Sequence, residues 1–289
     1  MMELAPSWLR SSLSSIAITS VLLTTAAIYL RGWYRLRRAG RYPTSGWRLG
    51  AFMAGGLLVW AAASPLAGRD RQLLILHMVE HLLLMTLAPP LLWLGHPQLF
   101  LESGLPRFLA RSARLLFDWP PVKRLRGVIA NPAVCFLTAT AVLLIWHLPR
   151  SLELAMRSDT WHTLEFGSFL FGGILFWWPL ARPWSMSGRT LAWWHPLYLF
   201  LGTLPCDALA AFLAFCDRVV YPCYIHAPRP VSLSALEDQE YAGALMWVAV
   251  TVAYLIPAVI VTVALLSPYG HGQRPMTLET LPSGSEEIA

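Results

Sequence analysis

The sequence predicts an all-α, polytopic integral membrane protein: a seven-transmembrane-helix bundle with its N-terminus outside and its C-terminus cytoplasmic. Three observations carry that prediction. Apolar residues make up 56% of the 289-residue chain and charged residues only 13%, a balance foreign to soluble domains. The apolar residues gather into seven runs long enough to cross a bilayer. The basic residues, finally, are shared unevenly between alternate loops, as the positive-inside rule requires.

Residues 12–30 form the first run, uncharged throughout, and Arg31, Arg35, Arg37, Arg38 and Arg41 follow as a cytoplasmic anchor. The second covers about residues 47–66. A short loop with Arg69, Asp70 and Arg71 leads into the third, about 72–94, in which Pro89 and Pro90 bend or end the helix near its far side. Residues 99–126 carry Arg107, Arg111 and Arg114 at i, i+4, i+7 opposite Phe108, Leu109 and Leu116. That pattern predicts a basic amphipathic helix in the headgroup plane. The fourth run, about 131–148, ends in Trp146 and His147. The fifth, about 161–180, opens with His162 and Glu165 and closes on Trp177 and Trp178 at an interface. The sixth, about 193–215, is interrupted by Pro205, Cys206 and Asp207, and the seventh spans about 241–266. Residues 1–266 thus form a single transmembrane domain, and residues 267–289, rich in polar residues, Gly and Pro, form a flexible cytoplasmic tail.

With the N-terminus outside, cytoplasmic segments hold 15 of the 22 lysines and arginines and the outside holds 7, which fixes the predicted orientation. In a polytopic protein the net charge of +6 reports topology and points to no nucleic acid. The first run has no basic n-region beyond Arg10 and no clear cleavage motif, so it is expected to stay as a span. Cys135 and Cys206 lie inside apolar runs. Cys216 and Cys223 flank a loop and are expected to pair, or to bind a metal, where that loop faces an oxidising compartment.

Titratable groups inside membrane spans are costly and mark function by default. His77, His81 and Met85 stand at i, i+4, i+8 on the third run, so two imidazoles and a thioether are expected on one helical stripe, with Glu80 beside it. At about 1.5 Å per residue, His77, Glu165, Asp207 and Met246 all fall in the outer half of the bundle, with His81 nearer the midplane and His147 and His162 at the outer ends of their runs. Imidazole and thioether together favour Cu(I), then Cu(II) or zinc, over magnesium or calcium. His96 and His195 lie at the inner rim and are read as packing residues.

Two other chemistries share these residues. Residues 77–81 match H-x-x-E-H, in which His77 and His81 would hold zinc and Glu80 would activate water in an intramembrane hydrolase. Histidines are also haem ligands, so a haem-binding electron carrier fits the spacing. A retinal protein does not, because the only lysine, Lys123, lies in a cytoplasmic segment.

Further motifs bear on the choice. His77-Met78-x-x-His81 leads into Ala88-Pro89-Pro90-Leu91-Leu92 and Gly95-x-Pro97; Trp146-His147-x-Pro149 and His162-x-x-Glu165 precede Phe176-Trp177-Trp178-Pro179; Tyr221-Pro222 precedes Leu236-Glu237-Asp238-Gln239 and Gly243-x-x-Met246-Trp247. Together, over about residues 47–266, these resemble the polytopic CtaG family of cytochrome c oxidase assembly proteins, distinct from the single-span copper chaperone of the same name. The resemblance implies a non-enzymatic factor in the bacterial plasma (inner) membrane that delivers or stabilises copper on the outer side. Its implied partners are subunits of a haem-copper terminal oxidase, the lipid bilayer and a periplasmic copper donor. The metal ligands are then expected to be His77 and His81, helped by Met85, His162 or Met246. Glu80, Glu165, Asp207 and His147 would orient imidazoles or balance charge, and Asp238 and Gln239 would gate the outer mouth or dock a partner. The chain departs from the family pattern at Glu80, where Gln is usual, at Phe166, where a second His is common, and at Ala235, where Pro often stands.

Overall fold

The computed structural model describes residues 7–40, 44–64, 71–181, 192–228 and 230–267. Of the predicted tail only Ser267 falls within them, and Arg41, Arg69, Asp70, Arg182, Arg189, Arg229 and Arg274 also lie outside the described residues. Among the described residues every regular element is helical. In chain order these are α1 (Ser7–Arg38), α2 (Gly46–Ala62), α3 (Leu74–Leu82), a π-helical turn (Leu83–Leu87), α4 (Ala88–Leu94), α5 (Pro97–Gly104), α6 (Arg107–Asp118), α7 (Pro120–Ile129), α8 (Pro132–Trp146), α9 (Pro149–Arg157), α10 (Asp159–Ala181), α11 (Trp194–Phe215), a 3-10 turn (Pro222–Tyr224) and α12 (Ala235–Leu266).

Five of the described helical segments are long and apolar enough to cross a membrane, and six if α7 and α8, bent by 79° at Asn131, count as one. This makes the chain a multi-pass membrane protein. The second expected span, α2, has only 17 residues, about 25 Å of helix against a hydrocarbon core of about 30 Å.

Several boundaries differ from expectation for local reasons. α1 runs on through Arg31 to Arg38 instead of stopping before the arginines, because arginine is a good helix former and a cation is favourable in a last turn. α12 begins six residues earlier than residue 241, at a capping box in which the Ser234 hydroxyl accepts from the Glu237 amide and the Glu237 carboxylate accepts from the Ser234 amide. Residues 205–207 do not interrupt α11, which carries Pro205 inside a continuous helix. The amphipathic stretch is three helices, broken at Pro106 and before Pro120, and α6 leaves Phe108, Leu109, Leu116 and Phe117 exposed.

Pro89 and Pro90 do not end the third helix either. They occupy the first turn of α4, where their missing amides cost least. Just before them the helix widens into the π turn, in which the Ala88 amide bonds the Leu83 carbonyl. α10 packs directly on this turn through Gly173, where an added Cβ would come within 2.7 Å of Met85 Cα and Pro89 Cγ.

The segment α3–π–α4 is therefore central, with α2, α10 and α12 packed around it. Trp93 Nε1 donates to the Ile174 carbonyl at 3.0 Å, joining α4 to α10. Tyr29 of α1 stacks on Phe52 of α2 and donates to the Gly95 carbonyl at 2.6 Å. His96 makes the left-handed turn (φ 50°) between α4 and α5, and His195 pairs with the backbone of Ala192 at the start of α11. The four cysteines are free thiols, so Cys216 and Cys223 are not paired.

Candidate metal centre

Four elements hold the centre together at one end of the bundle. The first turn of α3 is anchored from α12, whose Asp238 accepts from the Leu74 amide at 2.7 Å and the Ile75 amide at 3.1 Å. These amides have no partner within their own helix, so a carboxylate there satisfies them and suits the positive end of the helix dipole. Arg71 and Asp159 form a 2.6 Å ion pair between the segment before α3 and the start of α10. Trp146 at the end of α8 donates to Ser168 Oγ at 2.7 Å, and Ser168 Oγ donates to the Glu165 carbonyl at 2.8 Å. Tyr221 donates to the His147 carbonyl at 3.0 Å. Gln239, next to Asp238, accepts from the Val220 amide and donates to the carbonyls of Leu213 and Arg218, tethering the loop after α11.

Within this frame His77 and His81, one turn apart on α3, face Glu165 of α10. Each Nε2 lies 3.3 Å from the same oxygen, Glu165 Oε1. The His77 side chain is 0% exposed and that of Glu165 1%. The second nitrogens of both rings and Glu165 Oε2 are buried with no hydrogen-bond partner, a costly arrangement for a merely structural cluster. Phe169, one turn along α10 from Glu165, stacks on His81 with ring centroids 3.8 Å apart. Among the described residues the ion-pair partners of Glu165 are these two imidazoles. Neutral imidazoles leave its charge uncompensated, whereas a bound cation would balance it.

A second group shares His77. Its ring, Glu80 and His162 offer ligand atoms all within 4.8 Å of one another. Glu80 Oε2 lies 3.8 Å from His162 Nε2, and His162, with 26% of its side chain exposed, marks the open edge of the cluster.

Met85 and Met246 lie elsewhere. Met85 sits in the π turn over residues 83–87, one turn beyond His81. Both methionines instead line a cavity of about 30 Å³ with His81 and His147. Asp207 belongs to neither metal-binding group among the described residues. Its neighbour Cys206 turns into that cavity instead, since adjacent helix positions point about 100° apart. Asp207 keeps one carboxylate oxygen, Oδ1, buried with no hydrogen-bond partner. The docking role expected of Asp238 and Gln239 is corrected, since both are buried and committed to internal hydrogen bonds.

The competing chemistries fare differently. In the H-x-x-E-H reading Glu80 serves an ion between His77 and His81, but the carboxylate at that position is Glu165 and Glu80 stands by His162. A cavity of about 30 Å³ leaves no room for a haem beside His81 and His147.

Sequence reasoning had Glu165 at the right depth but only in a supporting role, and it missed Phe169 and the cavity-facing Met78 and Cys206. The spacing of Met78, His81 and Met85 at i, i+3, i+7 was a readable signal for the cavity side.

Three relatives from mycobacteria, each described as an uncharacterized protein, resemble the chain. The one from Mycobacterium leprae is 24% identical over 89% of this chain and 39% of its own length. Those from Mycobacterium bovis and Mycobacterium tuberculosis are each 25% identical over 85% of this chain and 37% of their own. The chain thus spans about two fifths of the length of the curated relatives it matches. No solved structure matches it. Residues 27–267, almost the whole helical bundle, match the family described as cytochrome c oxidase caa3 assembly factor. The chain belongs to that family, Caa3_CtaG.

Proposed function

We propose that this protein is a non-enzymatic assembly factor of the bacterial plasma membrane that holds copper transiently and passes it to a haem-copper cytochrome c oxidase. The observation that carries this reading is the buried convergence of His77, His81 and Glu165 on one point, with three further polar atoms of the same residues unpartnered. Two imidazoles and one carboxylate suit copper and zinc better than magnesium or calcium, which prefer all-oxygen sites. Membership of an oxidase assembly family favours copper as the cargo.

Only three ligands converge, which suits an ion that must be released, since a closed four-ligand shell is the mark of a structural site. His162, at the open edge of the cluster beside His77, provides a more exposed nitrogen through which the ion enters or leaves by ligand exchange. The excess of basic residues in alternate segments supports an N-out, C-in orientation. The centre then opens to the outer face, where subunits of the oxidase and a periplasmic copper donor are accessible. The exposed apolar residues of α6, beside Arg107 and Arg111, suit an interfacial position on the inner leaflet.

The test is made in cells that depend on this protein for oxidase activity. His77→Ala and His81→Ala are expected to abolish active oxidase while oxidase polypeptides still accumulate, and excess copper in the medium should restore part of the activity. Unchanged oxidase activity in both variants would rule the copper reading out.

A further inference from the structure

The cavity on the other side of His81 has a chemistry the imidazole–carboxylate cluster lacks. Its lining includes the thioethers of Met78, Met85 and Met246, the thiol of Cys206, and the rings of His81 and His147. A sulfur-rich lining alone is ordinary core packing. His147 makes this one different.

The Nδ1 of His147 lies 2.7 Å from the Leu143 carbonyl, which can only accept, so Nδ1 carries the proton. The lone pair is then on Nε2, which is buried with no hydrogen-bond partner. A backbone carbonyl fixing one nitrogen while the other is left bare is the usual arrangement of a metal-ligating histidine. Tyr221, donating to the carbonyl of His147 itself, further fixes the residue. The His81 ring, whose Nδ1 is likewise unpartnered, lies across from it with centroids 5.7 Å apart. One ion with bonds of about 2 Å to a nitrogen of each ring fits that separation.

We propose that this cavity is a second metal site, selective for Cu(I). Carboxylates are absent from its lining, whereas Glu165 stands in the neighbouring cluster and makes that cluster the better host for a divalent ion. A monovalent, soft ion is stabilised by thioether and imidazole ligands without a counter-charge. His147 and one or more of Met85, Met246 and Cys206 supply the ligands, and His81 stands between the two sites. The choice of copper over other soft ions rests on the function proposed above, but the site does not. No exchange of ions or electrons between the sites is implied.

The experiment uses the full chain in detergent, titrated without oxygen with Ag(I) as a redox-inert mimic of Cu(I), and separately with Zn(II) as a probe of the carboxylate cluster. Met85→Leu/Met246→Leu, which conserves volume, is expected to weaken Ag(I) at least about tenfold and leave Zn(II) binding unchanged. Glu165→Gln should do the reverse. X-ray absorption of the wild-type Cu(I) form should show sulfur scatterers, and this reading needs no variant to fold. Absence of sulfur from the copper shell, Ag(I) binding unmoved by the double Met variant, or parallel loss of both probes in every variant would each overturn the site. Overturned in this way with Zn(II) binding and oxidase activity intact, it would leave the function proposed above standing.

Discussion

At the residue scale, two imidazole nitrogens 3.3 Å from one carboxylate oxygen, nearly all of it shut away from solvent, set the chemistry of this bundle. The two glutamates of the region therefore predict opposite outcomes. Glu165→Gln removes the charge that balances a bound cation, and divalent metal affinity is expected to fall by about 10–100-fold or more. Glu80→Gln removes only a carboxylate beside His162, so metal content and oxidase activity should hold close to wild type. Metal titration of the two purified variants checks both, and an intramembrane hydrolase would instead lose activity with Glu80→Gln while keeping its metal. The pair His77 and His81 was legible in the sequence because i, i+4 spacing survives within one α-helical turn. Glu165 was legible by depth alone, since which of several carboxylates faces a histidine depends on how α10 is rotated against α3, and that is fixed by Gly173 meeting the π turn.

At the scale of elements, the site depends on the start of α3, and α3 depends on α12. Asp238 has both oxygens on the first amides of α3 and is 0% exposed. Asp238→Ala is expected to cost about 1–2 kcal/mol of stability, the upper range for loss of a capping side chain, read as a lower midpoint of thermal unfolding in detergent. Its effect on metal affinity should be smaller than that of Glu165→Gln, because the imidazoles and the carboxylate remain. Six of the seven predicted runs have counterparts long enough to span, alone or as the bent pair α7 and α8. The capping box at Ser234 was readable and would have placed the start of α12 correctly. The π turn was not readable from pattern alone. Two consecutive prolines signal an interruption, but whether a helix ends there or widens and continues is decided by the neighbours that pack on it.

At the scale of the whole molecule, the arrangement gathers most of the buried polar residues among those described at one end, where the starts of α3, α10 and α12 meet the end of α8. Reporter fusions test which side of the membrane that end faces. A periplasm-active reporter should work at the N-terminus and fail at the C-terminus, and the opposite pattern would turn the centre toward the cytoplasm. Composition points to the membrane class at once, because 56% apolar residues go with only 13% charged ones, about half the share of a soluble domain. The cavity beyond His81 was hidden from the sequence, since its sulfur and nitrogen atoms come from four separate helical segments. The central claim, that this end of the bundle binds copper, is tested most directly by metal analysis of purified protein after copper loading and desalting, beside the His77→Ala/His81→Ala variant. Copper retained by the wild type and clearly reduced in the variant is the predicted result; equal copper in both, or none in the wild type, would contradict it.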